Sequence, residues 1–216
     1  MDLLYYGYLA IILLVSIGLH EYAHAYFSYK FWDPTPKLQG RLTPNPFKHV
    51  DLVWFFLIFV IGFGWWKPVQ INPMYYKRPL RDELVTSLAG PAMNLCLALI
   101  GMLLMMGYAR LMWIGLQTLI LEQFDLVLSF WFLFISINLG LAVFNLLPIF
   151  PLDGYRLIKI IRPKVAMRME QHAMVLTIAL LVLILGPGSG VIGRYISLVV
   201  GKLYDFLFMV SSQIFY

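Results

Sequence analysis

Two histidines four residues apart are the most distinctive chemical feature of the chain. His20 and His24 form an HExxH pattern at 20–24, at the end of an apolar run that begins near Leu3. On a helix, residues i and i+4 share one face, so the two imidazoles are close enough to bind one zinc ion. Glu21 is offset by about 100° around the helix, where it can take a proton from a zinc-activated water as a general base. The pattern predicts a hydrolytic zinc site.

A third ligand must come from elsewhere, because catalytic zinc typically takes three protein ligands and leaves a fourth position for water. We favour Asp153, which follows a long apolar segment that Pro148 and Pro151 interrupt. Gly154 then permits a tight turn, so the backbone there can aim a carboxylate into a helix bundle. An ordinary Asp-Gly turn at a loop edge is the alternative. The other candidate ligands are His49, Asp51, Asp82, Glu83, Glu170 and His172.

Three asparagines lie in apolar segments and could bind substrate. Asn145 directly precedes the proline-broken stretch, and we predict that its amide holds the carbonyl under attack or the oxyanion formed from it. A helix–helix hydrogen bond is the alternative. Asn138, one heptad earlier, is expected to be structural. For Asn94, which follows Pro91, substrate binding and hydrogen bonding within the bundle are equal alternatives.

The composition requires these residues to work inside a membrane. Of the 216 residues, 61% are hydrophobic and 12% charged, and the mean hydropathy is +0.80. This is too apolar for an ordinary soluble domain. The net charge of +5 comes from Lys and Arg in loops beside apolar segments, which is typical of cytoplasmic loops facing anionic lipid headgroups. Binding of nucleic acid is therefore not expected. The single cysteine, Cys96, excludes an internal disulfide.

The apolar segments predict an all-α polytopic membrane protein, a bundle of about five to six transmembrane segments. The segments are 3–29, 52–66, 84–108, 124–149, 173–186 and 191–216. We expect one membrane-embedded domain over 1–216, with a core at 1–165 and accessory segments at 166–216. The first segment could be mistaken for a signal peptide, but it lacks a basic region at its start and carries the HExxH pattern.

Two of these segments have more than one interpretation. As a helix, 52–66 would reach only about 22 Å against a hydrocarbon core of about 30 Å. Placing all the basic loops on the cytoplasmic side also makes it enter and leave on one face. We therefore predict a re-entrant element, with a tilted full span as the alternative. The segment 191–216 is predicted either to span the membrane or to lie on its surface.

Three motifs, in order along the chain, resemble those of the site-2 protease family of intramembrane zinc metalloproteases. They are the HExxH pattern at 20–24, a GPxxN element from Gly90 to Asn94, and an NxxPxxxxDG motif from Asn145 to Gly154. The resemblance covers roughly residues 10–160 and is closest to the small bacterial branch that lacks PDZ or CBS domains. Phe150 departs from many relatives, which have a small residue or proline there.

The resemblance implies one zinc ion per chain, bound by His20, His24 and Asp153, with Glu21 as the catalytic base. It also implies a transmembrane protein as substrate, cleaved in regulated intramembrane proteolysis, and an active site near the cytoplasmic face of the bacterial inner membrane. The extended stretch 67–73 could offer a strand edge to an unwound substrate. A zinc transporter and a non-proteolytic scaffold are the rival functions. The sequence leaves the oligomeric state open.

Overall fold

The computed structural model describes residues 3–51, 55, 67–113, 121–186 and 189–215. These residues form helices joined by loops, and no β-strand occurs among them, which confirms the predicted all-α class. The helices are α1 (Leu3–Lys30), α2 (Thr35–Leu38), α3 (Pro79–Trp113), α4 (Leu121–Asn145), α5 (Asp153–Ile161), α6 (Pro163–Gln171), α7 (Ala173–Leu185) and α8 (Ser189–Phe215). Short 3-10 turns lie at Pro46–Lys48 and Pro73–Tyr75.

Helix length and hydropathy within these ranges support a polytopic membrane bundle. The stretches able to cross a membrane are Leu4–Lys30, Pro79–Leu111, Leu126–Asn145 and Gly193–Ile214. The helices α6 and α7 meet at 82° and together would make a fifth span. The described part of the chain thus has four or five candidate spans, where the sequence predicted about five to six. The predicted re-entrant element at 52–66 lies, except for Phe55, outside the described residues.

The helix α3 is the centre of the bundle and contacts α1, α4, α5 and α8. Its apolar side chains are buried mainly against α4 and α1. The buried residues of these clusters are Ile12, Leu97, Ala98, Met102, Met106, Phe134, Ile135 and Leu139. Because lipid tails are as apolar as the side chains, this close van der Waals packing is what holds the helices together. The same packing places the face of α1 that bears the HExxH pattern against α3.

The C-terminal helix α8 lies along α3 and α4. Val200, Leu203 and Leu207 of α8 pack on the buried cluster formed by α3 and α4. The sequence predicts that 191–216 either spans the membrane or lies on its surface, and α8 is long and apolar enough to span it. The division into a core at 1–165 and accessory segments at 166–216 stays a prediction.

The helix α4 ends at Asn145, and an irregular stretch then leads to α5, whose first residue is Asp153. A Cβ atom built on Gly154 would overlap the main-chain oxygens of Leu146 and Leu147, so the start of α5 approaches the end of α4 more closely than any other residue type allows. The ring of Phe150, the position where the motif departs from many relatives, packs edge-on against Tyr155 at 5.3 Å between centroids. The break therefore delivers Asp153 to the bundle, as the prolines predicted.

The loop after α1 is organised by the buried carboxylate of Asp33. It accepts hydrogen bonds from Ser28 Oγ at 2.7 Å, from the amide of Thr35 at 2.9 Å and from the amide of Asn72 at 2.7 Å. Burial acts to raise the pKa of Asp33, but these three hydrogen bonds outweigh it and hold the pKa below its ordinary value. Through Asn72, Asp33 fixes one end of the extended segment 67–72, which runs beside α1.

Candidate metal centre

His20 and His24 are both buried, and their Nε2 atoms lie 3.2 Å apart. The Nδ1 atom of His24 donates a hydrogen bond to the main-chain oxygen of Thr86 at 2.7 Å. Because a carbonyl oxygen only accepts, the hydrogen of this ring is on Nδ1 and Nε2 keeps a lone pair, as a metal ligand must. The Nδ1 atom of His20 lies 2.5 Å from Asn94 Oδ1. Helix α3 thus orients both imidazoles from behind.

Asp153 completes a group of three potential ligands. Its Oδ2 atom is 3.1 Å from His20 Nε2 and 3.2 Å from His24 Nε2. Zinc–ligand bonds of about 2.0–2.1 Å in a tetrahedral site place neighbouring ligand atoms about 3.3 Å apart. Three atoms with lone pairs repel one another at this spacing unless a cation lies between them. The donor set and its spacing therefore fit a zinc ion.

Gly90 of α3 keeps the space beside the histidines open. A Cβ atom built at this position would lie 2.5 Å from His20 Nε2 and would also overlap His24 Nε2. Real Cβ contacts are essentially never shorter than 3.0 Å. Any side chain here would therefore overlap the Nε2 atoms with which both histidines would bind an ion, and glycine leaves these atoms accessible.

Glu21 is buried beside this group and is held by the extended segment 67–72. Its Oε2 atom accepts a hydrogen bond from the main-chain N–H of Val69 at 2.8 Å. The Val69 amide is thereby occupied, so an added substrate strand would have to pair with other groups of the predicted strand edge. A buried carboxylate needs such partners to be held in one orientation. Glu21 is thus presented to the cavity in a fixed position.

The ligand group opens into a cavity of about 100 Å³. Its walls come from α1, the extended segment 67–72, the end of α4, the loop before α5, α5 itself and α7. The lining residues are His20, Glu21, His24, Pro68, Val69, Phe144, Asn145, Pro151, Leu152, Asp153, Arg156, Leu180, Leu181 and Ile184. The cavity therefore joins the three candidate ligands, the candidate base and one predicted substrate residue.

The two asparagines predicted to bind substrate occupy different places. Asn145 lines the cavity, and its Nδ2 atom donates to the main-chain oxygen of Leu141 at 3.0 Å. Asn94 is fully buried behind His20 and does not line the cavity. Both of its polar side-chain atoms are bonded within the protein, Oδ1 to His20 and Nδ2 to Asn138. Of the two alternatives for Asn94, these contacts favour hydrogen bonding within the bundle, and substrate binding stays a prediction.

The remaining ligand candidates lie away from this group. Among the residues that the structure describes, His20, His24 and Asp153 form the group of histidine, cysteine and acidic side chains that could hold a metal. Glu83 and Glu170 instead face Lys159, at 3.7 and 3.9 Å. His49 is fully buried and lies 2.8 Å from the main-chain oxygen of Thr43 through its Nε2 atom.

Several residues of the site were not predicted from the sequence. Gly90 belongs to the GPxxN element, which by itself predicts no role for it. No sequence pattern indicates the carbonyl of Thr86, the amide of Val69 or the side chain of Arg156. The place of Gly90 in the GPxxN motif, four residues before Asn94, is the one sequence feature that points to any of these residues. The other contacts join elements far apart in the chain and leave no local pattern.

Comparison with known proteins agrees with this geometry. The chain matches the model of peptidase family M50 over residues 8–186. It is 45% identical over 193 residues to "Putative zinc metalloprotease YwhC" of Bacillus subtilis (strain 168), which covers 88% of this chain and 83% of that protein. It is 32% identical over 146 residues to "Putative zinc metalloprotease Rip2" of Mycolicibacterium smegmatis, covering 66% of this chain and 52% of that protein. No solved structure gives a significant match.

Proposed function

We propose that this chain, which belongs to peptidase family M50 and is a membrane-embedded zinc metalloprotease, hydrolyses peptide bonds in or near the transmembrane segments of other membrane proteins. Membership of this family also confirms the resemblance to site-2 proteases and the zinc cofactor. The observation that carries the proposal is one cavity, walled in part by the candidate membrane-spanning helices α1 and α4, that contains Glu21 together with His20, His24 and Asp153. An ionisable group at membrane depth is functional by default.

We assign each residue a role that its position supports. His20, His24 and Asp153 would hold the zinc ion. When bound, zinc acidifies a water towards a pKa of about 7 and polarises a carbonyl oxygen. Glu21, held through Oε2 by the Val69 amide, takes the proton of the attacking water and passes it to the departing amine. Asn145, at the cavity wall, donates a hydrogen bond to the carbonyl oxygen under attack.

The location of the reaction is also part of the proposal. We place the cavity at the cytoplasmic face of a bacterial inner membrane. Basic residues concentrate in the loops next to the site, as expected for cytoplasmic loops, and the relatives reported above are bacterial. The substrate is a transmembrane protein whose helix unwinds locally before cleavage, since an intact helix hides its peptide bonds.

The test replaces Glu21 by Gln, which keeps the shape and the acceptor for the Val69 amide but removes the base. We expect Glu21→Gln to retain zinc and to cleave a model single-span membrane protein about 10²- to 10⁴-fold more slowly than the wild type. Zinc content by elemental analysis and cleavage by gel are both measured in proteoliposomes. Glu83→Gln is the matched control, because Glu83 is also a buried glutamate but lies outside the cavity.

The result also separates the rival functions. A transporter would carry zinc into the vesicles with or without the carboxylate of Glu21, and a scaffold would cleave nothing in the wild type. Undiminished cleavage by Glu21→Gln would remove this residue from the mechanism, and a wild-type protein that cleaves no substrate would refute the proposal itself.

A further inference from the structure

A chain of buried polar side chains leads away from His20 through three helices. Asn94 of α3 faces His20 Nδ1 with its Oδ1 atom and donates from Nδ2 to Asn138 Oδ1 of α4, at 2.9 Å. Asn138 in turn donates from Nδ2 to Ser16 Oγ and to the main-chain oxygen of Phe134, both at 2.9 Å. Ser16, Asn94 and Asn138 are all fully buried. Each of the helices α1, α3 and α4 thus contributes one of these three side chains.

The direction of every hydrogen bond in this chain is fixed at its far end. The main-chain oxygen of Phe134 only accepts, so Asn138 must turn its amide nitrogen towards it and its Oδ1 towards Asn94. Asn94 must then present Nδ2 to Asn138 and Oδ1 to His20. An amide oxygen also only accepts, so the hydrogen of the His20 ring is on Nδ1 and Nε2 keeps its lone pair for the metal.

We infer that Asn138 is a positioning residue of the zinc site, through which the main-chain carbonyl of Phe134 sets the tautomer and the orientation of His20. The tautomer and orientation of His24 are set directly, by the hydrogen bond from its Nδ1 atom to the main-chain carbonyl of Thr86. No main-chain oxygen of α3 accepts a hydrogen bond from His20. The side-chain amides of Asn94 and Asn138 instead link its ring to the carbonyl of Phe134. The inference rests on the same metal site as the proposed function, but it does not depend on proteolysis.

Loss of Asn138 should act on the metal through Asn94. Without an acceptor for its Nδ2, the Asn94 amide can turn and present NH₂ to His20. The Nδ1 atom would then have to accept, the ring hydrogen would move to Nε2, and that nitrogen could no longer bind zinc. Removing a hydrogen-bond partner that orients a ligand in this way typically weakens metal binding about 10- to 100-fold.

The test compares Asn138→Leu with Asn138→Asp in the purified full-length protein. Leucine has a similar volume and no acceptor, so we expect zinc affinity, measured by chelator competition, to fall about 10- to 100-fold. Aspartate offers an oxygen to Asn94 Nδ2 whether ionised or protonated, so it should restore affinity to within about threefold of the wild type. The absorption spectrum of the cobalt-substituted protein should change with leucine and resemble the wild type with aspartate.

Leu139→Ala is the matched control, because Leu139 is the next residue of α4 and is fully buried but has no part in the polar chain. It should lower the temperature of unfolding and leave zinc affinity and the cobalt spectrum unchanged. Wild-type zinc affinity in Asn138→Leu would overturn the inference, and so would an equal loss of affinity in Leu139→Ala. A wild-type protein that binds zinc but cleaves no substrate would refute the proposed function and leave this inference standing.

Discussion

The candidate metal centre has two sides that are built differently. His20 and His24 are carried by one long helix, and each ring is also hydrogen-bonded from behind by α3. Asp153 is itself the first residue of a short helix, α5, which follows an irregular, proline-containing stretch. Within the described residues, the close polar contacts of its carboxylate are with the Nε2 atoms of the two histidines. One side is thus held independently of the metal, while the other is placed mainly by the course of its backbone.

This difference indicates how such a site assembles. The histidine side needs only α1 to dock on α3, an association that the bundle core provides. The aspartate side needs the end of α4 and the start of α5 to come together, which Gly154 alone permits. Changes on the two sides should therefore differ in size, and each prediction below acts on one of them.

The largest effect should come from Gly90→Ala on the histidine side. The added methyl group would overlap the Nε2 atoms of both histidines, so we expect zinc binding to weaken by on the order of a hundredfold or more and cleavage to be lost. Alanine favours a helix over glycine by about 1 kcal/mol, so α3 itself should not be weakened. Chelator competition and thermal unfolding measure the two properties separately.

Gly140→Ala is the control for this change, because a Cβ atom on Gly140 of α4 meets no atom within 4 Å. It should bind zinc as the wild type does. If Gly90→Ala kept its zinc, the histidine side would be more yielding than the structure indicates, and the contrast between the two sides would fail.

A smaller effect is expected from Gly154→Ala on the aspartate side. The methyl group would overlap the main-chain oxygens of Leu146 and Leu147 and push the start of α5 away from α4. Because the two histidines remain in place, zinc affinity should fall only by about tenfold, with cleavage reduced accordingly. Chelator competition on the purified variant measures this. A loss as large as that of Gly90→Ala would show that both sides depend on each other.

The sequence predicted the parts of the site that follow from local pattern. The four-residue spacing of His20 and His24 required a common helix face, and the prolines after Asn145 required a helix end that could deliver Asp153. Both expectations agree with the structure, which brings the three side chains together. The helix ends were displaced by several residues, as at α3, which runs from Pro79 to Trp113 against a predicted 84–108.

The contacts that α3 makes with the histidines could not be predicted, because they depend on how α1 and α3 are aligned along their axes. Periodicity tells which face of α3 is buried, but not that Thr86, Gly90 and Asn94 lie level with the histidines. These three residues follow one another at four-residue spacing, so they form one stripe on α3. Recognising that stripe required the pairing of α3 with α1, which no local pattern in either helix contains.

The smallest effect should come from Asp33, which anchors the extended segment 67–72 rather than a metal ligand. Asp33→Asn replaces the carboxylate that accepts three hydrogen bonds by an uncharged amide. We expect the free energy of unfolding at pH 7 to fall by about 1–3 kcal/mol. Zinc affinity should be nearly unchanged, because neither side of the metal centre is touched. Thermal unfolding of both proteins across pH measures the difference, with the exposed Asp205→Asn as control.

The pH dependence gives this last prediction a sign. The folded-state pKa of Asp33 is lowered from 3.8, so its ionised form stabilises the folded protein above that pH. The stabilisation should be lost as pH falls below 3.8 towards the lower, folded-state pKa, and the difference between wild type and Asp33→Asn should shrink in that range. A difference that stayed constant through it would mean that Asp33 acts through packing alone. The extended segment would then be held in place by the hydrogen bond from the Val69 amide to Glu21, on the histidine side of the site.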